Sequence, residues 1–524
     1  VHCACDAAVG ITCGPMLLFQ SLLVLLVCAV LLAACARRLK LPYPSLLALG
    51  GTALAFIPNA PSFSLDPHLT LALFVAPALL DAAFDTSLRD LKKYWIPVMT
   101  LVFIAVGLTT AAVAWLMHYL VPDMPWAACI AIGAIVAPPD AVAASAVMRR
   151  LNVPHRVLVI LEGESLLNDA TALLTYRLAV SATMGMTFTG TGTAILSLAM
   201  IGSALVGFLL AHGVLRVTER ITDVPSAIIL QFVTAFGVWI LAEEIGLSPI
   251  VTLVTFAITA ARITPQRTPA EIRLPSFAVW ETLVFVLNVL AFVLIGLQLR
   301  PIFEGLDPAE RVHYLQIAAA VLGMVIVVRM AWVMVYNRAA TWKHRFFGAG
   351  YWPGNFVPTV AGSLVVGWAG MRGIVTLATA YALPEGFPHR DLALLCAFTV
   401  VVGTLVLQGL TLRPLIHLLG LTGDGTVERE VRGAQDMLAL VALEILEADG
   451  SATARALRDE FVTTELIEED GPHATGRAAR NHLRARIIAA QREALVKLRD
   501  TADIGDDAFR LIEEHLDRVE VTVR

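Results

Sequence analysis

The stretch PHRVLVILEGESLLNDATALLTYRLAVSAT, residues 154–183, combines an apolar character with charge at its centre. It is long enough to cross a bilayer, because about 20 apolar residues span the hydrocarbon core. Near its middle it carries three acids, Glu162, Glu164 and Asp169. Charges inside a membrane span are costly and usually functional. The stretch therefore predicts a membrane-crossing helix with a polar site at mid-depth.

The composition of the whole chain also indicates a membrane protein. Of the 524 residues, 57% are hydrophobic and 15% are charged, whereas a soluble domain carries about 25% charged residues. The last 104 residues, 421–524, hold 14 Lys and Arg and 22 Asp and Glu. We therefore expect a transmembrane domain over residues 16–420 and a helical cytoplasmic tail over residues 421–524. No basic run suggests a nucleic-acid partner.

The first fifteen residues differ from the rest of the membrane domain. They contain three cysteines and precede Met16, the first residue of an apolar run. We interpret residues 1–15 as an N-terminal extension upstream of the natural start.

Apolar runs of about 20 residues predict an all-α polytopic protein with about thirteen transmembrane helices. The predicted segments lie near residues 16–36, 42–58, 68–87, 95–120, 126–148, 154–183, 192–216, 224–243, 247–263, 278–300, 314–336, 359–383 and 391–414.

The positive charges between these segments set the predicted orientation, since cytoplasmic loops carry an excess of Lys and Arg. Three cations lie in the even-numbered loops: Arg300, Arg311 and Arg390. Seventeen lie in the odd-numbered loops: Arg37, Arg38, Lys40, Arg89, Lys92, Lys93, Arg149, Arg150, Arg156, Arg216, Arg220, Arg262, Arg267, Arg273, Arg338, Lys343 and Arg345. The pattern predicts that the N-terminus lies outside the cytoplasm and that the C-terminal tail lies in the cytoplasm.

Thirteen helices divide into six, one and six, which gives two six-helix units of opposite orientation. Such inverted repeats are common in secondary transporters, whose binding sites are formed by interrupted helices. Helices five and twelve correspond in this arrangement. Each contains a helix-breaking stretch, Ala137–Asp140 in helix five and Gly370–Gly373 in helix twelve. We therefore expect a binding site where these two interruptions meet.

Helix six supplies the central candidate for ion binding. Ser165 and Asp169 are four residues apart, and Asn168 is three from Ser165, so the three share one helix face. Asp169 is roughly 20 Å along the helix from Arg156, near mid-membrane. Burial disfavours the charged form of a carboxylate and a bound cation favours it, so a proton and a cation compete for Asp169. Ser165 and backbone carbonyls at Pro138 and Pro139 could supply neutral oxygen ligands.

The other charges within the predicted spans need partners. We expect Glu164 and Arg372 to form a buried pair that holds the two repeats together, with Asp140 beside them. A structural role is favoured for that pair. Asp81 on helix three is either an ion ligand or a cavity-lining acid, whereas Arg329 lies near a span end and is expected to reach the membrane surface.

Several long motifs resemble the bacterial monovalent cation:proton antiporter-1 family, the sodium/hydrogen exchanger type. The likeness covers residues 16 to 420 and rests on these stretches: PALLDAAFDTSLRDL at 77–91, GESLLND at 163–169, WETLVFVLNVLAFVLIGLQL at 280–299, GWAGMRGIVTLATAYALP at 367–384 and TLVLQGLTLRPL at 404–415. The resemblance implies a thirteen-helix inverted-repeat fold and a homodimer with an elevator-like motion.

The same resemblance implies roles for individual residues. Asp169 would carry the cation and the proton, with Ser165 and Asp81 as Na⁺ co-ligands. Asn168 would orient the site, and its pairing with Asp169 resembles the electroneutral branch. The residues that support the ion site would be Glu164, Asp140 and Arg372. Two departures bear on selectivity: Pro139 stands where a hydroxyl residue is common, and Asp81 where Glu is common.

The sequence thus predicts a transporter of the bacterial inner membrane that exchanges Na⁺ for H⁺, with membrane lipid around it and without a cofactor or enzymatic activity. Exchange of K⁺ or Li⁺ is an open alternative. A non-transporting ion or pH sensor is a second class. An intramembrane hydrolase using Asp140 and Asp169 is a third, but the Gly-x-Gly-Asp pattern of such proteases is absent. The tail is predicted to form amphipathic helices near residues 426–448, 453–468, 475–500 and 506–522. It is interpreted either as a charged solvating bundle or as a regulatory element.

Overall fold

The computed structural model describes residues 15–57, 66–148, 151, 153–185, 190–347, 358–463 and 474–523. Helices make up nearly all of these residues, and no β-strand occurs among them. The all-α fold predicted from the sequence is therefore confirmed. Of the predicted extension 1–15, all but Pro15 lies outside the described residues.

The part of the chain before residue 420 forms helices α1–α17 within the described ranges. In chain order they are α1 Pro15–Leu39, α2 Tyr43–Ala55, α3 Pro67–Asp85, α4 Leu88–Lys93, α5 Trp95–Leu120, α6 Trp126–Val136, α7 Ala141–Met148, α8 His155–Thr183, α9 Gly190–Thr218, α10 Val224–Glu244, α11 Pro249–Arg267, α12 Ala270–Leu297, α13 Leu299–Glu304, α14 Arg311–Phe347, α15 Val360–Trp368, α16 Ile374–Tyr381 and α17 Arg390–Leu418. Each predicted apolar segment overlaps one of these helices or a consecutive pair.

Seven helices of the described part are long and apolar enough to cross a membrane. They span Pro67–Asp85, Trp95–Leu120, Leu198–Thr218, Val224–Glu244, Ala270–Glu304, Arg311–Phe346 and Arg390–Leu418. The protein is thus a multi-pass membrane protein. Helix α8 is not among them because its centre is charged, although its 29 residues are ample to span a bilayer.

Short polar residues begin several of the helices. The Asp66 side chain accepts a hydrogen bond from the Leu69 amide at 2.9 Å, and Asp223 accepts one from the Ser226 amide at 3.0 Å. Thr359 accepts one from the Gly362 amide at 3.2 Å. Such caps satisfy amide groups that the first turn leaves without intrahelical partners. Local sequence therefore fixes where α3, α10 and α15 begin.

Helices α2 and α12 pack with their backbones in contact. A Cβ atom added to Gly51 would overlap the Val293 carbonyl oxygen, and one added to Gly296 would overlap the Ala48 carbonyl oxygen. Small residues allow this close approach, which replaces the hydrophobic effect as a source of packing energy in lipid. The two glycines therefore set the distance between these helices.

The charged tail forms four helices that match the prediction closely. They are α18 Thr426–Asp449, α19 Ala452–Thr463, α20 Ala474–Asp500 and α21 Asp506–Val523. The predicted end of α19, at residue 468, lies outside the described residues. Apolar faces of these helices pack into two clusters, one around Leu438, Leu495 and Phe509 and the other around Leu446 and Ile487.

A buried ion pair joins the tail to the membrane part of the chain. The Arg273 guanidinium on α12 donates two hydrogen bonds to the Asp517 carboxylate on α21, the one from Nε at 2.9 Å, and its Nη1 lies 3.1 Å from Glu513. Arg273 is 3% exposed and Asp517 is fully buried. From α20, Arg492 also donates to Asp517, at 2.8 Å. The tail is therefore docked on the membrane domain, not separate from it.

A second group of contacts lies at the other end of α21. Arg89 donates to Glu430 of the tail at 2.7 Å. His155, the first residue of α8, has its two ring nitrogens 3.2 Å from Asp90 and 3.5 Å from Asp507. The α21 helix thus contacts the α8 side of the membrane domain through one end and α12 through the other.

We predict that Arg273→Ala destabilises the protein. The substitution leaves Asp517 buried without its principal partner, and removing one member of a buried pair costs about 3–5 kcal/mol. Thermal unfolding in detergent and proteolysis of the tail measure the effect. Arg518→Ala is the control: Arg518 lies on α21 next to Asp517, is 69% exposed and pairs with Glu514 one turn away, so its loss should cost under about 1 kcal/mol. Equal stability of the two variants would contradict the prediction.

The contact around Asp90 should depend on pH. Burial disfavours the Asp90 carboxylate, but the hydrogen bond with His155 and the charge of Arg89 outweigh burial, so the pKa of Asp90 lies below its ordinary value. A lowered pKa stabilises the fold above the unfolded-state pKa of about 3.9, and this contribution disappears as the pH falls through the folded-state pKa.

The melting temperature of Asp90→Asn, compared with that of the wild type from pH 6 to pH 2, tests this contribution. The variant should be less stable at pH 6, and the difference should vanish at the acid end. Asp436→Asn, at an exposed position on α18, should match the wild type throughout. A difference for Asp90→Asn that is constant across the range would count against the assignment.

Candidate functional site

Two interrupted helices cross near the centre of the membrane domain. Helix α6 ends at Val136 and α7 begins at Ala141, while α15 ends at Trp368 and α16 begins at Ile374. Both interruptions predicted from the sequence are confirmed. The two non-helical segments contact each other directly, because the Asp140 amide donates to the Met371 carbonyl oxygen at 2.6 Å.

The Arg372 side chain satisfies backbone groups that the interruptions expose. It is fully buried, and its guanidinium donates to the carbonyl oxygens of Val136 at 3.1 Å and Ala137 at 3.2 Å, as well as to that of Gly370. Its amide donates to Thr404 Oγ1 at 3.1 Å. The end of a helix presents carbonyl groups with partial negative charge, and Arg372 neutralises those of α6.

The predicted ion pair between Glu164 and Arg372 is wrong. The Glu164 carboxylate instead binds Arg329 of α14, which donates from Nη1 to Oε1 and from Nη2 to Oε2 at 2.8 Å. Arg329 Nη2 also donates to the Val366 carbonyl oxygen at 3.1 Å. The physical reason is that the Arg372 guanidinium is occupied by the end of α6. Glu164 and Arg329 are 1% and 2% exposed, so the pair is buried.

Sequence reasoning placed Arg329 at a span end and so missed its role. The predicted segment covered residues 314–336, but α14 runs from Arg311 to Phe347 and places Arg329 at its centre. The apolar window was cut short by the charges that flank it. The full length of this helix is the signal that marks Arg329 as a central charge, which needs a partner.

Asn168 holds the first interruption in place. Its side-chain amide donates to the Pro139 carbonyl oxygen at 2.9 Å, and the residue is fully buried. The Pro139 carbonyl, predicted as a neutral oxygen at the break, is therefore already engaged by Asn168. Asn168 Oδ1 is buried and has no hydrogen-bond partner within the described residues. Asn168 thus links α8 to the crossing beside Asp169.

A cavity of about 100 Å³ lies at the crossing and contains most of the predicted ion ligands. Its polar lining residues are Asp140, Ser145, Glu162, Ser165, Asp169 and Asn288. Asp169 is 8% exposed. Among the described residues, no group of three His, Cys, Asp or Glu side chains is arranged to hold a metal ion. The cavity instead combines carboxylates with hydroxyl and amide oxygens.

Asp81 lies on the other side of α3, away from the Asp169 cavity. Ala78 and Ala82, four residues apart, face the Asp169 cavity, whereas Asp81 and Asp85 face a neighbouring cavity of about 130 Å³. That cavity is also lined by Gln231, Thr234, Arg273, Ser276 and Trp280. The structure thus brings together Asp169, Ser165 and Asp140 but places Asp81 beside them in a separate cavity.

Solved structures with the same fold exist. The sodium proton antiporter MjNhaP1 from Methanocaldococcus jannaschii superposes with TM-scores of 0.56 and 0.60 in two structures, at 18% sequence identity in each. The matches cover 77% and 78% of this chain and 99% and 98% of that protein. At this identity the likeness establishes the fold alone.

Sequence comparison identifies the family. The profile described as "Sodium/hydrogen exchanger, transmembrane" matches residues 22–418, and the chain belongs to this family. A "Sodium, potassium, lithium and rubidium/H(+) antiporter" from Bacillus pumilus is 31% identical over 69% of this chain and 56% of its own length. A protein of the same description from Bacillus subtilis is 26% identical over 92% of this chain and 74% of its own length.

A third relative extends over nearly the whole of both chains. The "Uncharacterized Na(+)/H(+) exchanger YjcE" from Escherichia coli is 29% identical over 92% of this chain and 94% of its own length. This alignment therefore includes the tail as well as the membrane domain.

We predict that Gly373→Ala disrupts the crossing. An added Cβ atom would overlap Oδ2 of Asp140, so the Asp140 carboxylate or the segment around Met371 would have to move. Exchange activity should fall at least tenfold, because a displacement of about 1 Å at a site can cost 10²-fold. Gly237→Ala on α10 is the matched control, since no atom lies within 4 Å of its added Cβ. Normal exchange by Gly373→Ala at equal protein level would contradict the prediction.

Proposed function

We propose that the protein exchanges Na⁺ for H⁺ across the bacterial inner membrane by competition of the two ions for Asp169. The observation that carries this proposal is a buried carboxylate, in a small cavity that other polar side chains also line, where two interrupted helices cross. Interrupted helices at mid-membrane are where secondary transporters bind their ions. Membership of the sodium/hydrogen exchanger family is consistent with it.

The chemistry follows from the desolvation of Asp169. Ionised, the carboxylate lacks the hydration that water would supply, so either a proton or a cation must compensate its charge. Ser165, one turn away on α8, and Asp140, at the start of α7, lie in the same cavity and are the proposed co-ligands of Na⁺. One carboxylate that carries either one proton or one monovalent cation gives an electroneutral exchange.

The surrounding charges hold this site but do not carry ions. Arg372 is committed to carbonyl oxygens at the end of α6, and Glu164 and Arg329 are committed to each other. We propose that these three residues fix the crossing, and that Asn168 orients the break at Pro139. Asp81 is proposed to act from the neighbouring cavity, as a charge that influences the site without lining the Asp169 cavity.

The proposed topology has thirteen membrane segments in two inverted six-helix repeats joined by one crossing helix. The N-terminus then lies outside and the tail, residues 421–524, in the cytoplasm. We further propose that the protein works as a homodimer. The membrane domain, residues 16–420, contains every proposed ion ligand.

Na⁺ is the proposed cation, with Li⁺ and K⁺ as alternatives. The Bacillus relatives are named as antiporters of sodium, potassium, lithium and rubidium. Carboxylate and hydroxyl oxygens suit all hard monovalent cations.

Cation-induced proton movement tests the proposal. Everted vesicles from a host without its own antiporters establish a pH gradient by respiration, and Na⁺, Li⁺ or K⁺ is then added between pH 6.5 and pH 9. Wild-type protein should dissipate the gradient and Asp169→Asn should not. Asp307→Asn, at an exposed loop position, should behave as the wild type. Exchange by correctly inserted Asp169→Asn would contradict the assignment of Asp169 as the ion site. Absence of exchange by the wild type with every cation would favour a non-transporting sensor.

A further inference from the structure

One face of α8 continues from the Asp169 cavity toward the beginning of the helix. Glu162, Ser165 and Asp169 are spaced three and four residues apart, so they lie in one row on that face. Seven residues separate the two carboxylates along the chain, which is about 10 Å at 1.5 Å per residue. Glu162 is only partly buried, whereas Asp169 is 8% exposed. The exposure of these side chains therefore increases along the row toward the N-terminal end of α8, at His155.

A second and larger cavity begins where this row ends. Its volume is about 920 Å³, and we refer to it as the vestibule. Its polar lining comes from the membrane domain at Asp85, His155, Glu162 and His417, and from the tail at Asp424, Glu428, Asp507 and Arg510. Among the described residues that line them, Glu162 is shared by the vestibule and the Asp169 cavity. Glu162 therefore contacts both cavities.

Some of the polar residues that line the vestibule bind one another or a neighbouring residue. Asp85 forms an ion pair with Arg510 of α21. His155 lies between Asp90 at 3.2 Å and Asp507 at 3.5 Å. The contacts with Arg510 and Asp507 connect the membrane domain to the tail. Glu162, in addition, lines the Asp169 cavity.

We propose that Glu162 is the access carboxylate of the exchanger: it holds the incoming cation at the passage between the vestibule and Asp169 and thereby sets the apparent affinity for the cation from the tail side. This inference rests on the proposed exchange function and on Asp169 as the ion carrier. A carboxylate at the narrow end of a low-dielectric passage concentrates cations. Because Glu162 is partly exposed, it lets a cation lose water in two steps on the way to Asp169.

The full-length protein carrying Glu162→Gln tests this role in everted vesicles at 0.15 M ionic strength, loaded so that the tail side faces the added cation. Loss of one charge about 10 Å from the binding site, at an effective dielectric constant of about 20, should raise the apparent KM for Na⁺ about tenfold. The maximal exchange rate should change less than twofold, because the carrier Asp169 is intact. Glu162→Asp should restore most of the affinity.

Glu428→Gln is the matched control. Glu428 also lines the vestibule but is exposed at its outer part, where salt screens a charge beyond about 8 Å. The apparent KM of the Glu428→Gln variant for Na⁺ should stay within twofold of the wild-type value.

Two results would overturn the inference without affecting the exchange function. One is an unchanged KM for Glu162→Gln in vesicles where the wild type exchanges and Asp169→Asn does not. The other is an equal loss of maximal rate in Glu162→Gln and Glu162→Asp with the KM unchanged, which would make Glu162 a structural group. Absence of exchange by the wild type would instead remove the proposed function, and the access role with it.

Discussion

Two helices that stop inside a membrane leave backbone groups without partners where no water can replace them. In the hydrocarbon region each such group costs several kcal/mol. Here the guanidinium of Arg372 binds the carbonyl groups at the end of α6, and the amide of Asn168 binds the carbonyl of Pro139. The interruptions, the cavity between them and the placement of Asp169 all depend on this internal solvation. Arg372 is needed as a hydrogen-bond donor more than as a charge.

This requirement explains which partner each buried charged residue binds. Each guanidinium nitrogen of Arg372 donates to a carbonyl oxygen, and the Glu164 carboxylate pairs instead with Arg329 on α14. The pair joins α8, which carries Asp169, to α14 across the domain. The guanidinium groups of Arg329 and Arg372 are thus bound elsewhere and do not line the Asp169 cavity. A site that binds a proton or a cation alternately requires that separation.

The features set by local sequence could be predicted, and those set by the choice of partner could not. Two consecutive prolines at Pro138–Pro139 and two closely spaced glycines at Gly370–Gly373 mark the interruptions because both residue types are unfavourable inside a helix. The 3.6-residue period places Ser165 and Asp169 on one face wherever α8 lies. By contrast, Glu164 had Arg372 and Arg329 as possible partners, and only the packing of α14 decides between them. The same holds for Asp81, whose side of α3 depends on neighbouring helices.

The tail shows the same difference between local structure, which could be predicted, and choice of partner, which could not. Its contacts with the membrane domain have a practical consequence. Its four helices follow from amphipathic periodicity, but nothing in the sequence marks Asp517 as the partner of Arg273 or Asp507 as part of the vestibule wall. The family match ends at residue 418, a boundary that invites a shortened chain for crystallisation or assay. Such a chain would expose an arginine that is now buried and would open one side of the vestibule. A chain cut there would be a different molecule, with a different ion entrance, and its kinetics would not describe the intact protein.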